Sequence, residues 1–144
     1  NVVVSLNGRI DKIMRVDGTL IVQDDKFVAR PQTYDSKTQP YPGQLLQVLT
    51  YLNSNFSSKR RASPDDYFEM PHTQKQWELR ICDRKTKEPH KIFSETQDSF
   101  SLHYLHSSLE TFASIAVNLS EPKHHDNKRK CDACNLKSVC NFRI

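Results

Sequence analysis

Long apolar runs are missing from this 144-residue sequence: hydrophobic residues make up 36% of it, and no stretch approaches the roughly 18 residues of a membrane span. No internal repeat is present, so a stacked-repeat architecture is excluded. No signal peptide or anchor is legible. Cysteine is scarce and unevenly placed, with four residues at positions 82, 131, 134 and 140 and three of them within ten positions. A secreted disulfide fold would spread its cysteines, whereas this clustering points to metal ligation in a reducing compartment, and a cytoplasmic home is expected. Charge is not strongly one-sided. The net value is +4, with basic residues gathered in Lys59-Arg60-Arg61, Arg84-Lys85-Thr86-Lys87 and Lys128-Arg129-Lys130. Such clusters suit a polyanionic partner, although solvated loops carry them just as often.

The length fits one domain with a modest core. The chain reads as a meander of Val2 to Leu6, Arg9 to Val16 and Thr19 to Phe27, with turns at Asn7-Gly8 and Asp17-Gly18. Because it starts inside a strand, it looks cut at its N-terminus. A Pro-rich loop over 30–43 leads into a helix from about Gly43 to Phe56, which puts Leu45, Val48, Leu49, Leu52 and Phe56 on one stripe and Gln44, Gln47 and Tyr51 on a polar face. Strands over Trp77 to Cys82 and Lys91 to Thr96 extend the sheet. The spacing of Leu102, Leu105, Leu109, Phe112, Ala113, Ala116 and Leu119 predicts a second helix, from roughly Ser99 to Leu119, packed on that sheet. Pro122 stops it, and Lys123 to Lys130 is a hydrophilic approach to the cysteines. The expected unit is a single domain over 1–144, with a core over 1–120 and a cysteine-rich segment over 121–144.

Asp17-Gly18 is a strong hairpin signal, and a two-residue loop pairs Val16 with Thr19. Counting outward sets Asp11 opposite Asp24, with Asp24 and Lys26 on one face and Asp25 on the other. Like charges facing each other on a sheet are unfavourable. A divalent cation held between the carboxylates would explain the pair, and Lys26 could then position a water or stabilise charge on a phosphate. The plainer explanation is the wet face of a surface hairpin. Gln47 and Tyr51, four apart, are neighbours on a helix, where on their own the plainer explanation is that of surface polar residues.

In order and spacing, Gly8-Arg9-Ile10-Asp11, Asp24-Asp25-Lys26, Gln47-Val48-Leu49-Thr50-Tyr51 and Cys131-x2-Cys134-x5-Cys140 resemble the motifs of RecB-like PD-(D/E)xK nucleases with an iron-sulfur cluster. The resemblance covers nearly the whole chain and runs closest to the CRISPR-associated RecB-like exonucleases. It implies an α/β restriction-endonuclease-like core, a mixed sheet flanked by helices, with a cysteine-rich C-terminal lobe. It also implies Mg2+ or Mn2+ held by Asp11 and Asp24, Lys26 beside the attacking water, and a Gln47/Tyr51 helix that holds the site and the DNA strand. Asp25 falls at a variable position and is given no role. Cys131, Cys134 and Cys140 would ligate a 4Fe-4S cluster.

In the family the fourth cluster ligand is a cysteine upstream of the nuclease motifs, a place that Cys82 could fill only from a strand end near the cluster. A lone strand-end Cys is more often a buried apolar residue. Zinc bound by the same cysteines with His124 or His125 is the alternative. The family pattern also carries a His upstream of Asp11, and no His precedes Asp11 in this sequence. His72, His90, His103 and His106 read as solvent or packing residues, and Trp77 as core. The function implied is metal-dependent DNA cleavage, exonucleolytic on single-stranded or frayed ends, serving CRISPR adaptation and antiviral defence. General RecB-type repair and a non-catalytic nucleic-acid-binding or interaction module with a structural metal site are the alternatives. Expected partners are DNA and adaptation or repair proteins.

Overall fold

The computed structural model describes residues 6, 8–54, 74–117 and 128–133. The chain divides into two compact units, Ser5–Leu109 and Glu110–Ile144 with Asn1–Val4. The first holds a four-stranded sheet in the order β1 (Lys12–Val16), β2 (Thr19–Val28), β3 (Gln74–Asp83), β4 (Pro89–Thr96). The β1/β2 and β3/β4 pairs are antiparallel, and the central β2/β3 pair is parallel. A parallel pair needs a long crossover. Here it includes a 3-10 turn, Pro31–Tyr34, and helix α1, Pro42–Leu52.

The hairpin forms as its turn chemistry dictates. Val16 pairs with Thr19, and Asp17 and Gly18 both take positive φ, 47° and 77°, which a primed two-residue turn requires. The outer end of β1 departs from expectation. The strand starts at Lys12, opposite Gln23, so residues 9–11 stand outside the ladder. The cause is local: the Asp11 carboxylate itself accepts the Asp25 N–H at 2.9 Å.

Alternation puts Leu20, Val22, Asp24 and Lys26 on the face shared with Trp77, Leu79 and Ile81 of β3, their register partners or near neighbours. Val48, Leu49 and Leu52 of α1 cover that face, and Tyr34, Phe93 and Leu105 complete the core. Trp77, 2% exposed, is a core residue as its setting in the sequence suggested. Helix α1 begins at Pro42, whose fixed φ suits the first helical position, and the Gln44 side chain reaches back to the Tyr41 N–H at 3.2 Å. It stops earlier than expected, because Asn53 leaves helical geometry and its Nδ2 donates to the Leu49 carbonyl at 2.8 Å.

Helix α2, Ser99–Ala116, starts where Asp98 Oδ1 accepts the Ser101 N–H at 2.7 Å. Its apolar stripe does not pack on the sheet along its length. Leu105 alone is fully buried, Tyr104 and Leu109 lie against the core, and Phe112 is half-exposed. Positions through Leu109 belong to the first unit, and Phe112, Ala113 and Ala116 to the second. That unit also contains α3, Lys128–Asp132, which carries buried Cys131. Val2 to Ser5, Asn7, Phe56, Lys59-Arg60-Arg61, His72, Leu119, His124, His125, Cys134 and Cys140 lie outside the described residues.

Candidate active site

Strand β2 delivers Asp24 and Lys26 to the α1 side of the sheet two positions apart. Asp24 is 3% exposed. Burial raises its pKa above the ordinary 3.8, the charges of Asp11 and Asp25 push the same way, and Lys26 opposes them. Lys26 Nζ stands 2.7 Å from Asp24 Oδ2 and forms an ion pair with it. A buried carboxylate so placed costs several kcal/mol of solvation. A cation would recover part of that.

Asp11 is exposed at the mouth of the same strand pair. Its Oδ2 takes the Asp25 N–H, a donor that the end of β1 leaves open. Asp11 does not pair with Asp24 on the ladder, which ends at Lys12 and Gln23; from a bend, its charge acts on Asp24.

Helix α1 contributes the third part. Lys26 Nζ donates to Gln47 Oε1 at 2.7 Å, and Gln47 Nε2 donates to the Tyr51 hydroxyl at 2.8 Å. The Gln and Tyr sit one turn apart, so a single amide bridges from the lysine to the phenol. The Tyr51 ring lies over Gly8. A Cβ placed on Gly8 would stand 2.6 Å from Tyr51 Cε1, closer than packed atoms approach, so a side chain at position 8 would displace the ring.

Asp25 points to the opposite face, where the Arg80 fork grips it at 2.8 and 2.7 Å. That hydrogen-bonded fork holds its carboxyl below the usual 3.8. Gln44 belongs to the helix cap and to the Tyr34 hydroxyl, 2.9 Å away. Cys82 is 1% exposed, and burial pushes its thiol pKa up, away from the thiolate that ligation uses. Cys131 is buried. His90 Nε2 meets Asp35 Oδ1 at 2.7 Å, and His103 and His106 are exposed. The turn over 84–87 is exposed. Sequence reasoning missed Arg80 and the reason for Gly8. In the sequence Gly8 reads as a turn residue and as the first position of the Gly8-Arg9-Ile10-Asp11 motif, neither of which reveals its approach to Tyr51.

Among the described residues no group of three His, Cys, Asp or Glu side chains gathers to hold a metal ion. Asp11 and Asp24 nevertheless suit a hard cation, since both offer carboxylate oxygens and burial together with the charge of Asp11 disfavours the ionised form of Asp24, which a cation would offset. The fold and the site together define a mixed-sheet α/β domain in which two acids and a lysine meet beside a Gln/Tyr helix face. The sequence pattern of the PD-(D/E)XK nuclease superfamily matches residues 1–141, and the chain belongs to that superfamily. Its members are generally nucleases and usually use Mg2+ or Mn2+. No curated protein and no solved structure matches the chain.

Proposed function

We propose that this chain is a Mg2+- or Mn2+-dependent nuclease that hydrolyses DNA phosphodiester bonds. The observation that carries this reading is Asp24, a buried carboxylate whose pKa is raised by burial and by the charge of Asp11, with the Lys26 ammonium 2.7 Å away. Asp11 and Asp24 would hold the cation. When bound, it supplies charge neutralisation at the scissile phosphate and a more acidic water. The ammonium of Lys26 orients the attacking water and offsets negative charge that builds on the phosphate oxygens. Gln47 fixes that ammonium with its carbonyl oxygen and fixes Tyr51 with its amide. Because Tyr51 receives that bond, its own proton is available to a phosphate oxygen. With little covalent work for these side chains, positioning and charge carry the rate.

Exonucleolytic attack on single-stranded or frayed ends is the form we propose, on the resemblance of motif order. Cleavage of end-labelled linear single-stranded DNA in Mg2+ or Mn2+ tests it. Digestion that stops with EDTA and spares circular single strands is expected, and cleavage that persists in EDTA overturns the metal-dependent reading. For the C-terminal segment, the Cys131, Cys134 and Cys140 spacing supports a soft metal centre. Anaerobically purified protein should be brown and contain iron and sulfide; colourless protein containing zinc would contradict a cluster.

A further inference from the structure

The Asp11 carboxylate lies beyond the end of β1, exposed, and needs something other than a ladder to fix it. Its Oδ2 accepts the main-chain N–H of Asp25 at 2.9 Å. The Asp25 side chain leaves the same Cα toward the opposite face of the sheet. There it is gripped by Arg80, directly across the parallel β2/β3 ladder. Nε donates to Oδ1 at 2.8 Å and an Nη to Oδ2 at 2.7 Å, while Gln23 Nε2 donates to Oδ1 at 3.1 Å. Gln23 is itself buried.

We infer that Arg80 is a positioning residue for the cation site on the other side of the sheet. By clamping Asp25, it orients the peptide N–H that holds Asp11 and the peptide from which Asp24 turns into the core. A two-bond fork fixes the plane of a carboxylate as a single point charge does not. With both carboxylate oxygens of Asp25 held, rotation of the Asp24–Asp25 peptide is restricted at one end. Asp11 restricts it at the same end, through the Asp25 N–H. The inference rests on reading Asp11 and Asp24 as cation ligands, and it assigns Arg80 and Asp25 no contact with cation or substrate.

An ordinary surface ion pair at this place would alter stability slightly and leave cation affinity alone. The discriminating measurement is therefore Mn2+ binding, by electron paramagnetic resonance or calorimetry, on the full chain with Arg80→Met and Arg80→Lys. Circular dichroism identifies which variants are folded. Residues that orient metal ligands typically contribute roughly ten- to a hundredfold to affinity, and Arg80→Met is expected to lose an amount in that range. Arg80→Lys keeps the charge without the fork and should fall with Arg80→Met. Should Arg80→Met fail to fold, Arg80→Lys carries the test alone. Folded Arg80 variants with wild-type Mn2+ affinity would overturn the inference, as would full rescue by Arg80→Lys. Absence of Mn2+ binding by the wild-type chain would instead overturn the ligand reading of Asp11 and Asp24 on which the inference stands.

Discussion

Lys26 and Gln47, 21 residues apart in sequence, are joined by a 2.7 Å hydrogen bond from the ammonium to the amide oxygen. The bond ties β2 to α1 at the point where Asp24 is buried. Lys26 is about a quarter exposed, and its ammonium is held by this acceptor together with Asp24 Oδ2, 2.7 Å away.

The first prediction concerns this tie. A hydrogen bond to a charged group contributes about 1.5–3 kcal/mol, so loss of one that matters chiefly in the transition state should slow cleavage by roughly ten- to a hundredfold. Gln47→Ala is expected to lower kcat in that range at saturating metal, with little change in Tm. Steady-state kinetics on a labelled oligonucleotide check it. An unchanged kcat would remove Gln47 from the account.

Gly8→Ala makes a sharper test of packing. The new Cβ would stand 2.6 Å from Tyr51 Cε1, and displacing that ring breaks the 2.8 Å contact with Gln47. Activity should fall about as far as in Tyr51→Ala. In the Tyr51→Ala background, where the obstructing ring is gone, Gly8→Ala should cost little more. Additive losses in that double-mutant cycle would show that Gly8 acts by some other route.

The metal-free protein should show the cost of Asp24 in its pH dependence. Its folded pKa lies above the ordinary 3.8, chiefly through burial, so the folded state binds more protons than the unfolded one between those two values. Stability is undiminished below the unfolded pKa and falls as pH rises toward the folded one. Asp25, held low by Arg80, works in the opposite sense. Its contribution is present above the ordinary value and lost as pH falls through the folded pKa. Comparing wild type with Asp24→Asn cancels Asp25, because both chains keep it. In EDTA the Asn variant should match wild type in acid and exceed its Tm at neutral pH, and Mn2+ should raise the Tm of wild type only. An Asn variant that melts below wild type at neutral pH would contradict a costly buried charge.

Much of this site is legible in the sequence because its parts are local. Asp17-Gly18 sets the hairpin register, the two-residue period sends Asp24 and Lys26 to one face, and the four-residue helical spacing sets Gln47 beside Tyr51. What is not legible depends on long-range geometry. Arg80 finds Asp25 only once the parallel β2/β3 register exists, 55 residues apart in sequence. Gly8 must lack a side chain because of Tyr51, 43 residues further along the chain on α1. The end of β1 was misplaced for a related reason, since a side-chain carboxylate substitutes for a main-chain acceptor at Asp11.

The most direct test of the central claim is Asp24→Ala assayed for both cleavage and binding of end-labelled single-stranded DNA in Mg2+ or Mn2+. The account predicts that metal-dependent cleavage is abolished while DNA affinity, read by fluorescence anisotropy, stays close to wild type. Undiminished metal-dependent cleavage by Asp24→Ala would contradict it.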